Sequence, residues 1–125
     1  MRFRKKSNDP QVVQDLIALH TLLNHGGKGW IKGAMDKLKG KRMCHCLVGG
    51  TYKITAGSPY PNGIIRRDKL IVALATAVRE VSVRIRAVNS EGVCIEYNDR
   101  SRTRWADIEN VISIAVKTER EAAHG

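Results

Sequence analysis

Between residues 70 and 81 the apolar side chains Leu70, Ile71, Leu74, Ala75, Val78 and Val81 recur at three- and four-residue intervals, and this run limits the fold more than any other. The period is that of a helix with one buried face, here opening at Asp68. Two weaker stripes share it. Val12, Leu16, Leu19 and Leu23 follow Asn8 and Asp9, either of which can cap a helix, with Pro10 at the first helical position, where its missing N–H does no harm. That helix is expected to stop at Asn24, His25, Gly26 and Gly27. Trp105, Ile108, Val111, Ile112 and Ala115 form the third stripe, behind a Thr103 cap and with Asp107 and Glu109 near the positive end of the helix dipole. A chain of 125 residues buries one modest core, so the stripes must share it.

The segments between them read differently. Trp30–Met35 and Arg42–Leu47 are two short candidate strands around Asp36, Lys37, Leu38, Lys39 and Gly40, which predicts a hairpin. Cys46–Thr55 reads as a short helix weakened by Gly49 and Gly50. Ala56–Gly63 holds two Pro and two Gly and reads as a loop. Val81, Val83, Ile85 and Ala87 alternate with polar residues, Asn89–Gly92 resembles a turn, and Val93, Ile95 and Tyr97 alternate again, which predicts a second hairpin. The expected fold class is therefore α+β, a single compact domain with three to four helices and one or two small β-hairpins. Residues 1–9 form a basic N-terminal arm, 10–117 the globular domain and 118–125 a polar tail expected to fray.

Charge narrows the function. The formal net charge is +10, and all of the excess lies in residues 1–69, with 14 Lys and Arg against four acids; residues 70–125 hold eight of each. The excess falls in three clusters: Arg2, Arg4, Lys5 and Lys6; then Lys28, Lys32, Lys37, Lys39, Lys41 and Arg42; then Arg66, Arg67 and Lys69. Such a distribution concentrates anions and suits phosphates, with salt-dependent affinity. Phe3, Trp30, Tyr52, Tyr60, Tyr97 and Trp105 are the whole aromatic supply, which argues against a broad base-stacking platform. With 42% apolar and 27% charged residues and no apolar run near 20 residues, neither disorder nor a membrane span is expected. The basic start lacks the apolar stretch of a signal peptide, and three cysteines without framework spacing favour a reducing cytoplasm.

Cys44, His45 and Cys46 offer zinc-type ligands, but a Cys-x-Cys on a strand puts both sulfurs on one face and His45 on the other, and no second ligand pair accompanies them. Completing a shell would need Cys94, His20, His25 or His124. Cys46 at the start of a helix is also where a thiol can be activated, with His20 or His25 as the base by elimination. Gly26, Gly27 and Gly29 around Lys28 fit either a helix cap or a small anion-binding turn. Asn98 and Asp99 read as a local clasp, or alternatively as a carboxylate facing the Trp30–Gly33 segment; Arg100, Arg102 and Arg104, with Arg84 and Arg86, offer a second basic patch.

Three segments together carry a family resemblance: Gly29, Trp30, Gly33 and Ala34; Cys46, Leu47, Val48 and Gly49; and Tyr97, Asn98 and Asp99 followed by Thr103 and a helix. In these the chain resembles a family of small bacterial and phage proteins, domain of unknown function 6197, whose pattern runs G-W-x-x-G-A, C-x-x-G-A, then N-D before a closing helix. The likeness spans residues 12 to 117 and departs at Gly50, where Ala is usual, and from Val81 to Val93. It implies one compact domain and a phage or mobile-element setting, and brings no established activity.

The leading expectation is a non-enzymatic binding protein that docks on nucleic acid or a nucleoprotein complex. The contacts expected are Arg2, Arg4, Lys5, Lys6, Lys37, Lys39, Lys41, Arg42, Arg66 and Arg67. No catalytic residue, metal or cofactor is assigned. The alternatives are an inhibitor or adaptor on an acidic protein surface, such as a host-defence antagonist, and a small Cys- or metal-dependent enzyme centred on Cys46.

Overall fold

The computed structural model describes residues 3–24 and 27–124. Among them are five helices and one two-stranded antiparallel hairpin: α1 (Gln11–Leu23), β1 (Asp36–Lys39), β2 (Arg42–His45), α2 (Leu47–Thr55), α3 (Asn62–Val81), α4 (Ser90–Asp99) and α5 (Trp105–His124). They form a compact α+β domain with one more helix than the upper expectation. α3 is the central helix, packed by the other four.

The stripes of α3 and α5 lie in the core as read, except that Val81 ends α3 partly exposed and Trp105 is half-buried. α3 begins six residues before Asp68, because its first turns expose Ile64 and Ile65 and so show no one-sided apolar period. In α1, Leu16, Leu19 and Leu23 are buried, but Val13 rather than Val12 heads the row. The helix contacts α5, α2 and α3, and its buried arc widens to include Ile17 and His20.

Both expected N-caps need correction. Pro10 flanks α1 instead of opening it, and the Asp9 carboxylate is turned away from the helix. It accepts hydrogen bonds from Arg120 Nε and Nη2 at 2.9 Å each and from the Lys6 N–H. At α5 the Thr103 hydroxyl donates backward to the Tyr97 carbonyl at 2.7 Å, while Asp107 accepts from the Arg104 N–H at the helix start. α5 continues past Lys117 to His124.

The second hairpin does not form. Residues 82–88 carry no regular secondary structure, with a bend at Val83, and no strand pairs with them. Their backbone is held by side chains of α4 and its end: Glu96 accepts from the Arg86 and Ala87 N–H groups at 2.9–3.1 Å, and Arg100 donates to the Arg84 carbonyl and the Ser82 hydroxyl. The supposed turn at Asn89–Gly92 is a helix start, with Asn89 Oδ1 accepting from the Gly92 N–H at 2.7 Å. Val93, Cys94 and Asn98 are buried at helical spacing, whereas Ile95 is exposed.

Residues 3–9 are laid against the helices. Phe3 meets the His20 ring edge-on at 4.8 Å, and Arg120 also donates to the Arg4 carbonyl at 2.7 Å. The Arg120 guanidinium holds the almost fully buried Asp9 carboxyl below its ordinary value, against the opposing effect of burial. A depressed carboxyl pKa adds stability above the ordinary carboxylate range, and that addition is lost as pH falls through the folded value. Asp9→Asn is therefore expected to cost about 1.5–3 kcal/mol at neutral pH, the scale of a charge-assisted hydrogen bond, and measurably less at about pH 3, below the ordinary carboxylate value. Urea unfolding at both pH values checks this; an equal deficit at each would dismiss the linkage.

Candidate functional site

The hairpin is fixed at its base from three directions. Ile31 N–H donates to the His45 carbonyl at 3.1 Å and His45 N–H to the Gly29 carbonyl at 2.9 Å, so Gly29–Ile31 runs beside β2 as a short parallel bridge. Cys46 N–H donates to the Met35 carbonyl at 2.8 Å. Asn98, fully buried, lies behind this junction: its Oδ1 accepts from Trp30 Nε1 at 2.6 Å and from the Leu47 N–H at 3.0 Å. Its Nδ2 donates to the Ile31 carbonyl at 3.0 Å and to Asp99 Oδ1 at 2.9 Å, and that carboxylate oxygen also accepts from the Gly33 N–H at 2.9 Å. The Asn98–Asp99 clasp thus reaches across the chain, and its carboxylate does face the Trp30–Gly33 segment.

Register then sorts the hairpin side chains. Asp36 pairs with His45, Lys37 with Cys44, Leu38 with Met43 and Lys39 with Arg42. Alternation places Lys37, Lys39, Arg42 and Cys44 on one face, and Asp36, Leu38, Met43 and His45 on the other. On the second face His45 Nδ1 and Asp36 Oδ1 are 2.6 Å apart. On the first, the hairpin and the Gly27–Trp30 segment enclose an open cleft of about 700 Å³ lined by Gly27, Lys28, Trp30, Lys39, Lys41, Arg42 and Cys44. Its lining holds four cations and no acid. Among the described residues none of these four cations is ion-paired. Cys44 lies on the floor, its Sγ donating to the Lys28 carbonyl at 3.2 Å.

Two glycines bring Lys28 to the rim. Gly27 has φ +85°, and a side-chain carbon there would stand 2.8 Å from the Trp105 ring; one at Gly29 would stand 2.6 Å from the Leu22 carbonyl oxygen. Close approach to α1 and α5 therefore turns the segment back toward the hairpin.

The ten expected contact residues separate accordingly. Lys39, Lys41 and Arg42 line the cleft, and Lys37 is exposed on the same hairpin face outside it. Arg4, Lys5 and Lys6 are exposed; Lys5 and Lys6 border a different depression of about 330 Å³ with Ser7, Asp9 and Gln14. Arg66 is committed within the protein, bridging to Asp15 at 2.6 Å and donating to the Ser58 hydroxyl. Arg67 lies over the Tyr52 ring at 4.1 Å. Arg2 and the candidate base His25, with Gly26, lie outside the described residues. Lys28 and Trp30 belong to the cleft but were not among the expected contacts; the Gly-Lys-Gly-Trp run was the available signal.

Cys46 caps α2, its Sγ accepting from the Gly49 N–H at 3.3 Å, yet burial pushes the thiol pKa up, opposite to the activation expected at a helix start. Burial pushes Cys94 up to about 12. The other candidate base, His20, is held by Glu109 at 2.8 Å and stacked on Trp105. Among the described residues no three His, Cys, Asp or Glu side chains converge as metal ligands would, and no helix is long and apolar enough to cross a membrane.

Five helices and a clasped hairpin beside a cation-lined cleft define this protein as a small α+β domain with a basic cleft. Residues 7–118 match the model of a family described as "Family of unknown function (DUF6197)", and the chain belongs to that family. No curated protein and no solved structure matches it. The three segments that carry the resemblance meet in space, because Asn98 joins Trp30 to Leu47 and Asp99 holds Gly33.

Proposed function

We propose that this is a non-enzymatic binding protein of the cytoplasm that docks on nucleic acid, alone or in a nucleoprotein complex, through the cleft between the hairpin and Gly27–Trp30. The supporting observation is the lining: Lys28, Lys39, Lys41 and Arg42 converge on one concavity without an acid among them. Held like charges repel one another and favour a polyanion that neutralises several at once. Arg42 can bind a phosphate through two parallel N–H groups, and the lysines act as mobile point charges. Contacts of this kind position a backbone without reading sequence. The exposed Arg4, Lys5, Lys6 and Lys37 extend the attraction beyond the cleft.

Four phosphate contacts would give a slope of log K against log salt of about −3 to −4. The variant Lys39→Glu, Lys41→Glu, Arg42→Glu is expected to bind DNA or RNA oligonucleotides about 10- to 100-fold more weakly near 0.1 M salt, with a slope flatter by about two units. All three side chains are exposed, so its thermal unfolding should match that of the parent. Unchanged affinity and slope would remove the cleft from the interface. Preferential binding of polyglutamate over any oligonucleotide would assign the cleft to an acidic protein surface instead.

A further inference from the structure

We infer that the cleft takes single-stranded nucleic acid, with one base held against Trp30 and the flanking phosphates on Lys28 and the hairpin cations. This rests on the proposed nucleic-acid reading and specifies its substrate.

Three observations carry it. The first is size. A space of about 700 Å³ falls within the roughly 300–1,000 Å³ that accommodates a drug-sized ligand, and one nucleotide with its phosphates is of that class. A duplex is far too wide to enter and meets only the rim cations. The second is the identity of the lining. Aromatic residues are few in this chain, yet one of the two tryptophans lines the cleft and is its only aromatic residue. Stacking on an aromatic ring needs an unpaired base, because a base inside a duplex already has both faces covered. The third is how Trp30 is held. Its Nε1–H is donated inward to Asn98, and its ring packs against Trp105 with centroids 6.2 Å apart. The indole is thus fixed in place with its one donor spent, so it offers a base apolar contact and no hydrogen bond. Recognition should then be tolerant of sequence and selective for strandedness.

Lys28 and Arg42 lie at opposite ends of this lining in the sequence, brought together by the pairing of Trp30 with His45. A strand entering the cleft can therefore meet several cations beside the stacked base. Lys32 adds positive charge close to the same ring, its Nζ 5.7 Å from the ring centroid while donating to the Arg100 carbonyl.

The test uses the full chain carrying Trp105→Phe, so that tryptophan emission reports Trp30 alone. It is titrated with a deoxythymidine oligomer of about 12 nucleotides, within the span one small domain covers, and with a duplex of equal length. The expected result is quenching of Trp30 emission by the single strand and at least tenfold tighter binding of it than of the duplex. In the parent background, Trp30→Leu should weaken single-strand binding about tenfold and duplex binding by clearly less. Single-strand binding with unaltered Trp30 emission, or duplex binding of equal strength, would overturn the inference and leave the broader nucleic-acid reading standing. Binding of neither form would overturn both. The emission measurement keeps Trp30 intact, so it decides the matter even if Trp30→Leu fails to fold.

Discussion

Replacing Asn98 with Ala is expected to lower the stability of this protein by about 4 kcal/mol. The side chain is completely buried and uses its whole hydrogen-bonding capacity: two bonds accepted by Oδ1 and two donated by Nδ2. Alanine would leave the Trp30 indole N–H, the Leu47 N–H and the Ile31 carbonyl without those partners. Each buried orphan costs about 1–3 kcal/mol, with some relief from water entering the vacated space. Against a total of roughly 5–15 kcal/mol for a domain, that is a large fraction. The midpoint of thermal unfolding should fall by about 15 °C, taking about 4 °C per kcal/mol for a domain of this size. Asn98→Asp separates the donors from the acceptors. It keeps both accepting contacts but puts a carboxylate beside Asp99, which raises the pKa of the new group in the folded state. Its deficit should therefore shrink toward about pH 4 as that group takes up a proton, while the Ala deficit stays. Urea unfolding showing Asn98→Ala within about 1 kcal/mol of the parent would dismiss the clasp as the main tie between the hairpin base and α4.

The same clasp marks what sequence reading can and cannot reach. The rows in α3 and α5 were legible because each helix keeps a polar or exposed stripe beside its buried face, narrow in the central α3 at Val72 and Thr76. That contrast writes a 3.6-residue period into the chain. The hairpin was legible only in part. Its turn lies at Gly40 and Lys41, close to the expected position, but the first strand is Asp36–Lys39 and not Trp30–Met35. β1 is exposed along its whole length, so nothing selects alternating apolar residues, whereas beside β2 Ile31 is buried and Trp30 packs against the core. Residues 82–88 alternate in sequence yet form no strand, because a sequence does not say whether another strand or a carboxylate such as Glu96 will satisfy the backbone. Charge behaved likewise. Lys39, Lys41 and Arg42 are close in sequence and stay together in space. Arg66 reads as equally free, and its partner Asp15 lies 51 residues away. Lys28 and Trp30 reach the cleft only through the bridge to His45, a tertiary contact with no local signature.

Gly49→Ala is expected to cost about 2 kcal/mol and to impair the cleft without altering any residue that lines it. A side-chain carbon on Gly49 would fall on the Met35 carbonyl oxygen, 2.7 Å from the Met35 carbonyl carbon and 2.7 Å from Asp36 Oδ1. Two of these atoms are backbone at the foot of β1 and cannot rotate away. Either α2 backs off and weakens the Cys46 N–H to Met35 carbonyl bond, or the hairpin swings outward with Lys39, Lys41 and Arg42. The overpacking cost of about 1–3 kcal/mol and the weakened hydrogen bond outweigh the roughly 1 kcal/mol that Ala adds to a helix. Gly50→Ala, one residue on, should come out within about 1 kcal/mol of the parent. There the new carbon would meet Leu19 Cδ1 at 2.5 Å and Leu23 Cδ2 at 3.5 Å, ends of side chains that can shift, and the helix-propensity gain offsets the repacking. Oligonucleotide binding should follow the same split, reduced for Gly49→Ala and retained for Gly50→Ala. Equal stability and equal binding of the two variants would show that contact between the foot of β1 and the first turn of α2 does not set the hairpin's position.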